Sequence, residues 1–348
     1  DRFGWNHDDI RRHHAHILAR IEDRTKEGEL NKRHAMPKCM KQPSILVTND
    51  DGVEAPGLFA LVSKLHKEGF PVLVVAPRRE QSASGMRLTL RKPMRIEVHS
   101  DIERSIRVHP DVPLVVMSVE GTPCDAVIVA IEGAIDQYQM DIKPSLCVSG
   151  INLGPNLSVD VLHSGTVSAA REASMYGLPS ISTSLADYNE SEFNEAVNAT
   201  MRVIEKVVDI IKIPLPSFLR PNGAQSKPSE KDKDLPISHF LHGNMMLNVN
   251  VPSGWNGTFR TGPHGARWYK APTRVSEREE GQFVEVGAAT IVNEGDEGSD
   301  TTTIDSGGCS ITAMPVWPQL HPLSVPDTIL EIANVSDQEG FPVWLSSQ

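Results

Sequence analysis

The sequence predicts an α/β fold, a doubly wound and mainly parallel sheet with helices on both faces and an antiparallel β elaboration toward the C-terminus. Three observations predict it. Short β-rich apolar runs alternate with stretches whose apolar residues recur at helical spacing. The strand and helix units repeat, as parallel sheets with crossover helices require. Polar segments fall just after the predicted strands, where ligands sit in such sheets.

The first strand is SILVT, residues 44–48, followed by NDDG and then PGLFALVSKLHKEG, in which Leu58, Leu61, Val62 and Leu65 mark one helical face. Pro56 stands in the first helical turn and Gly69 near the stop, so the boundary residues agree with the periodicity. PVLVVAP (71–77) and PLVVMSV (113–119) read as strands, TPCDAVIVAIEGAI as a helix and PSLCVSG (144–150) as a strand. A helix over 165–177, the strand PSISTSL and a long helix over 190–212 follow. The core is therefore expected over 44–212, with 1–43 as a polar tail or peripheral helix carrying His7, His13, His14, His16 and His34. Residues 213–236, with KPSEKDKD at their centre, read as a flexible insertion. In 237–348 the strand-like NMMLNVNVP (244–252), FVEVGAATIV and CSITAMPV are separated by Gly-rich turns, which reads as an antiparallel segment completing the fold.

With 348 residues and a 39% hydrophobic composition the chain can bury a sizeable core. Its 34 basic against 45 acidic residues give a formal charge of −11, which argues against binding a nucleic-acid duplex through a broad basic face. A small anionic substrate would need local neutralisation, which a divalent cation supplies. Cys39, Cys124, Cys147 and Cys309 are scattered without a CxxC pair, so a thiol-reducing, cytoplasmic compartment is expected, with a processed or organellar form as the alternative. No apolar run reaches the length of a membrane span.

Three polar segments follow strands: Asn49–Asp50–Asp51–Gly52, then RREQSASG over 78–85, then SGIN leading to Asn156. Loops after parallel strands converge on one edge, and together these offer carboxylates, hydroxyls and carboxamides with no Cys or His. That oxygen set suits Mg²⁺ or Mn²⁺. Adjacent aspartates repel in a partly dry site unless a divalent cation lies between them. Asp-Gly after a strand is also ordinary turn chemistry, and both readings stand. HSGTVSAA (163–170) leads from a Gly-containing loop into a helix, so Ser164, Gly165 and Thr166 either cradle phosphate at the helix N-terminus or simply cap it. His163 is either a general acid or an ordinary loop histidine.

ILVTNDDGVEAPGL, VVAPRREQSASG, VSGINLGPNL and HSGTVSAAREA, in this order and spacing, resemble the successive motifs of the SurE survival-protein family of nucleotidases. The likeness runs from Ser44 to Leu185, with an echo at LNVNVP and CSITAM. It implies a Rossmann-like phosphatase with one divalent metal ion, Mg²⁺ or Mn²⁺, held by Asp50, Asp51, Ser82 and Asn152. Asp50 and Asp51 are then the catalytic pair. Asn49, Asn156, Ser164, Gly165 and Thr166 are the expected phosphate contacts. The implied reaction is hydrolysis of nucleoside 5′- or 3′-monophosphates. The implied assembly is a homodimer or homotetramer, with the C-terminal β segment exchanged. Met86, Arg87, Asp305 and Cys309 stand in surroundings that depart from the family pattern.

Competing chemistry fits less well. An aspartyl-phosphate nucleophile goes with alternate rather than consecutive acids, Ser84 lacks a GxSxG elbow, and no GxGxxG turn follows the first strand. A non-catalytic nucleotide- or metal-binding module remains the alternative class. Trp255, Trp268, Tyr269 and Trp317 are expected mainly in the core, or else as a stacking wall or subunit contact.

Overall fold

The computed structural model describes residues 42–132, 142–188, 192–211, 228–229, 231–278, 280–287 and 289–346. The predicted N-terminal tail with its five histidines and Cys39, most of the 213–236 insertion, and the ends of the helices expected over 122–135 and 190–212 lie outside the described residues.

β1 (Ile45–Thr48) leads through α1 (Pro56–Lys67) to β2 (Val72–Pro77). A short β3 (Ile96–Val98) and α2 (Ser100–Ile106) precede β4 (Leu114–Val119), α3 (Pro123–Glu132) and β5 (Leu146–Leu153). Next come α4 (Asp160–His163), α5 (Gly165–Met175), β6 (Ser180–Leu185) and α6 (Asn194–Ile210). The remainder holds α7 (Pro236–Leu241), β7 (Met245–Val251), β8 (Phe259–Thr261), β9 (Ala266–Lys270), β10 (Thr273–Arg278), β11 (Gly281–Val286), β12 (Thr290–Glu294), α8 (Asp300–Asp305), β13 (Cys309–Pro315) and α9 (Asp327–Ala333).

The main sheet has nine strands in the order β3-β4-β2-β1-β5-β6-β7-β13-β8. From β4 to β7 all neighbours are parallel, whereas β3 and β13 pair antiparallel with β4 and β7. Two separate hairpin-like pairs, β10 with β11 and β9 with β12, supply the expected antiparallel elaboration. β7 was expected in that elaboration, yet it joins β6 in parallel. The reason is its connection: α6 and α7 bridge β6 and β7 as a crossover, and a crossover returns the chain in the same direction.

Alternation along the strands divides the core. Ile45, Val47, Val72 and Val74 face α1 and α6, where they meet Leu58, Leu61, Leu65, Val203 and Val207. Leu46, Leu73 and Val75 face the other way, against Ala126, Val127 and Ala130 of α3 and Ala169 and Ala173 of α5. α1 starts with a proline whose missing N–H costs nothing in the first turn, and Gly69 at φ +87° lies just past its end.

α3 begins with a capping box. The Thr122 N–H donates to Asp125 Oδ2 (2.8 Å) and the Asp125 N–H to Thr122 Oγ1 (3.2 Å). The same pair ties down the segment after β2, because the Thr89 N–H donates to Asp125 Oδ1 (3.0 Å) and Thr122 Oγ1 donates to the Arg87 carbonyl (2.6 Å).

β5 is longer than its sequence pattern, and Asn152 stands inside it rather than in the loop beyond. Gly150, at φ +138°, reads as a strand end, but the chain kinks there, the register with β6 shifts between Ser149 and Asn152, and pairing resumes at Asn152 opposite Ser184. The aromatic residues also divide. Trp255 packs against Phe259 and Trp317 stacks on His321, while Trp268 on β9 is exposed and its ring N–H meets Glu294 rather than the core.

Candidate active site

β1 is the strand at which the winding reverses: β2 and β4 lie on one side of it, β5 and β6 on the other. Open α/β sheets hold ligands at the carboxyl end of such a strand. Asn49, Asp50 and Asp51 leave β1 at that point. Asn49 is buried and closes the turn, with Nδ2 donating to the Gly52 carbonyl (2.9 Å) and Oδ1 accepting from the Gly52 N–H (3.2 Å). Both ends of its amide serve the turn that carries the aspartates. Gly52 sits at φ +105°, a backbone conformation that favours glycine.

The Asp50 carboxylate is buried against the first turn of α5. The Thr166 hydroxyl donates to its Oδ1, and the backbone of Gly165 and Thr166 also hydrogen-bonds it. Burial pushes the Asp50 pKa up, and these donors pull against that push. Asp51 accepts from the Leu153 N–H at Oδ2 (3.2 Å). Burial first, then the charge of Asp50, raises its pKa to about 6. Among the described residues no Lys or Arg pairs with either aspartate.

The segment after β2 closes over this pair. The Gln81 N–H donates to the Asp50 carbonyl (2.7 Å) and the Gly85 N–H to the His163 carbonyl (2.9 Å). Ser82 is exposed on this segment and, among the described residues, hydrogen-bonds neither aspartate. Ser84 is different: its hydroxyl is buried without a partner. A Cβ at Gly165 would fall 2.6 Å from Ser84 Oγ and 2.9 Å from Asp50 Oδ2, so Gly165 lets all three segments meet. On the other side, Asn152 Nδ2 donates to the Gly154 carbonyl (2.7 Å), one residue past the amide that holds Asp51.

The expected phosphate contacts are more occupied than the sequence shows. Ser164 caps α5, its Oγ accepting from the Val167 N–H (3.0 Å). Thr166 faces Asp50. Asn156 is buried in a polar layer, with Nδ2 donating to Ser184 Oγ (2.8 Å) and its N–H donating to Asn250 Oδ1 (2.8 Å). His163 is exposed, and its carbonyl, through the Gly85 amide, is its link to the site.

A divalent cation fits this donor set. Two consecutive carboxylates, both pushed up by burial and without a cationic partner among the described residues, want a positive charge, and the orphaned Ser84 hydroxyl and the Asn152 carboxamide add neutral oxygens. Among the described residues no three His, Cys, Asp or Glu side chains gather as a metal cluster, so the centre would rest on these two aspartates and neutral oxygens.

The sequence reading weighed Ser84 only as a nucleophile. In QSASG two serines stand two apart, and spacing does not say which one turns inward. Tyr188 lies beyond the carboxyl end of β6, the same position that singles out the other segments.

These features define a doubly wound α/β protein with an acidic, oxygen-lined site at the carboxyl edge of its sheet. The family described as Survival protein SurE matches residues 45–277, and the chain belongs to that family. The 5′-nucleotidase SurE of Natranaerobius thermophilus is 40% identical over 166 residues, 47% of this chain and 60% of that protein. The 5′-nucleotidase SurE of Desulforudis audaxviator is 37% identical over 210 residues, 60% of this chain and 66% of that protein. That of Caldanaerobacter subterraneus is 34% identical over 228 residues, 66% of this chain and 71% of that protein. The chain thus spans 60% to 71% of the length of these relatives. Among solved structures, the SurE protein from Aquifex aeolicus aligns with a TM-score of 0.56 at 27% identity, covering 80% of this chain and 95% of that one.

Proposed function

We propose that this protein is a divalent-metal-dependent phosphomonoesterase that hydrolyses nucleoside 5′- or 3′-monophosphates to nucleoside and phosphate. The observation that carries the reading is the Asp50–Asp51 pair, Asp50 buried and Asp51 half-buried, without a cationic partner among the described residues, at the reversal point of the sheet. The relatives named 5′-nucleotidase support the reaction class.

Asp50 and Asp51 would hold one Mg²⁺ or Mn²⁺ ion, with Asn152 and a serine of the 82–84 segment as neutral ligands. Ser82 is the candidate from the motif and Ser84 the candidate from burial. When bound, the ion polarises the phosphoryl group and supplies the positive charge that the acidic chain lacks. The protein's own part is positioning. Thr166 fixes the rotation of Asp50, the Leu153 amide fixes Asp51, and Asn49 holds the turn between them. Ser164, Gly165 and Thr166 at the positive end of α5, where Asp50 already takes part of the donor set, and Asn156 are the candidate phosphate contacts.

The test is phosphate release from AMP and from 3′-AMP with Mn²⁺, with Mg²⁺ and with EDTA. Turnover that needs the ion supports the reading. Nucleotide binding without turnover under any metal would favour a non-catalytic module.

A homodimer or homotetramer is part of the same proposal, supported by Val275, Phe283, Val284 and Val286, which stand exposed on β10 and β11. Size-exclusion chromatography with light scattering decides it. Among the described residues no helix is long and apolar enough to cross a membrane. The cytoplasm is the proposed compartment, supported by Cys124, Cys147 and Cys309 being buried free thiols.

A further inference from the structure

Tyr188 lies beyond the end of β6 and is 55% exposed, although it is packed and tethered on two sides. One ring edge rests on Gly154, where a Cβ would fall 2.7 Å from Tyr188 Cε1 and 2.9 Å from Cδ1. At φ +111°, Gly154 is a position that favours glycine on backbone grounds as well. The hydroxyl end interacts with the side chain of Tyr269. Tyr269 in turn donates to Asp160 Oδ1 (2.5 Å), and Asp160 Oδ2 accepts from Arg267 Nη1 (2.8 Å) and from the Leu157 N–H (3.1 Å). The Arg267 and Asp160 side chains are 5% and 9% exposed, so the ring is moored to a pair buried in the fold.

The mooring lies next to the acidic site. Gly154, which the ring touches, accepts the Asn152 carboxamide, and its neighbour Leu153 donates its amide to Asp51. Leu153 is itself 40% exposed and adds apolar surface at the residue before Gly154. An aromatic side chain held at its edge and at its hydroxyl contributes little to the core, so its exposed surface is free for another role. Because the ring is already fixed, a flat partner stacks on it at little further cost in side-chain entropy.

We propose that Tyr188 is the surface on which the base of a nucleoside monophosphate stacks while its phosphate occupies the Asp50–Asp51 site. This rests on the nucleotidase reading and deepens it. The ring gives the enzyme a preference for phosphate esters that carry an aromatic base over sugar phosphates that do not. Stacking tolerates any base because every base presents a π-face, so the preference is for nucleotides as a class.

The test compares wild type, Tyr188→Leu and Tyr188→Phe on AMP and on ribose 5-phosphate, with calorimetric binding of adenosine as a readout independent of turnover. In Tyr188→Leu the ratio of kcat/KM for AMP to that for ribose 5-phosphate should fall about 10-fold, carried by KM, and adenosine should bind about 10-fold more weakly. Tyr188→Phe, which keeps the ring, should retain most of the ratio. An unchanged ratio with unchanged adenosine binding overturns the proposal, as does an equal loss on both substrates, which would mark a structural role. Should Tyr188→Leu not fold, Tyr188→Ala takes its place. If wild type hydrolyses neither substrate, the nucleotidase reading fails, and adenosine binding by wild type against the variant still decides the role of the ring.

Discussion

The Thr166 hydroxyl donates to Oδ1 of Asp50, joining the first turn of α5 to the end of β1 across 116 residues of chain. A carboxylate that would otherwise swing between rotamers is thereby fixed, and a helix N-terminus that could hold an external anion is shared with an internal one. Asp50 both faces the proposed cation and borders the proposed phosphate cradle.

Asp50→Asn and Asp51→Asn should each lower phosphatase turnover by roughly 100-fold or more, the scale on which one electrostatic group in a preorganised site is felt. The fold should survive, since neither side chain packs the core, and removing one of two facing carboxylates relieves repulsion in the metal-free protein. Circular dichroism melting beside a phosphate-release assay checks both halves. Wild-type rates at saturating metal would refute the metal assignment.

Replacing Asn152 or the inward serine by Ala should weaken metal dependence without abolishing activity. A shift of about 10-fold to 100-fold in the metal concentration for half activity is expected, with recovery at high Mn²⁺ or Mg²⁺. Titrating Ser82→Ala and Ser84→Ala side by side identifies which serine reaches the ion. If neither serine variant nor Asn152→Ala shifts the curve, the convergence of three segments on one cation is wrong.

Gly165→Ala places a methyl group 2.6 Å from Ser84 Oγ and 2.7 Å from Asp50 Cβ, closer than real contacts allow. Alanine is otherwise a good helix residue, so helix content should stay constant while the site is pushed apart. A fall in kcat of at least about 10-fold with an unchanged far-ultraviolet spectrum is the expected result, because small misplacements at the chemistry are costly. Full activity would mean that Asp50 and Ser84 are not locked against this glycine.

Glu172 on α5 is buried near Asp125, and burial followed by that neighbouring charge raises its pKa from 4.5 to about 7. A carboxyl whose folded pKa is raised favours the folded state while protonated. Its contribution is fully present below about pH 4.5, declines above it and is lost as the pH rises through about 7. Glu172→Gln, which stays neutral, should melt like wild type near pH 4.5 and gain roughly 2–4 °C over it at pH 8. A difference in melting temperature that is the same at both pH values would show that the substitution acts through packing instead.

Local patterns in the sequence reach far but stop at definite places. β1, α1 and β2 are legible because apolar spacing, Pro56 and Gly69 are all local signals, and the three segments beyond the strands follow from the winding rule. The end of β5 was not legible, because Gly150 looks like a terminus when it is a kink. The direction of β7 depends on the crossover through α6 and α7, which no pattern within NMMLNVNVP reveals. At the site, Asp50 and Asp51 stand out as consecutive acids. By contrast, the commitment of Asn156 to Asn250, 94 residues away, is tertiary information. So is the choice between Ser82 and Ser84. Trp268 was expected in the core because large aromatics usually are, yet β9 and β12 form a two-stranded layer that leaves one face open.

The capping box of Thr122 and Asp125 joins two regions that would otherwise fluctuate separately. Asp125 caps α3 and also receives the Thr89 amide, so the segment carrying Ser82 and Ser84 detaches at this anchor only when that cap is released. In hydrogen–deuterium exchange the Thr89 amide should therefore be protected despite lying in a surface segment, and its exchange should accelerate together with the amides of the first turn of α3 when Asp125 is replaced. The segment that carries both serines is thus held by a helix start on the carboxyl edge of the sheet, the edge where Asp50 and Asp51 leave β1, so fraying there would loosen a wall of the aspartate site.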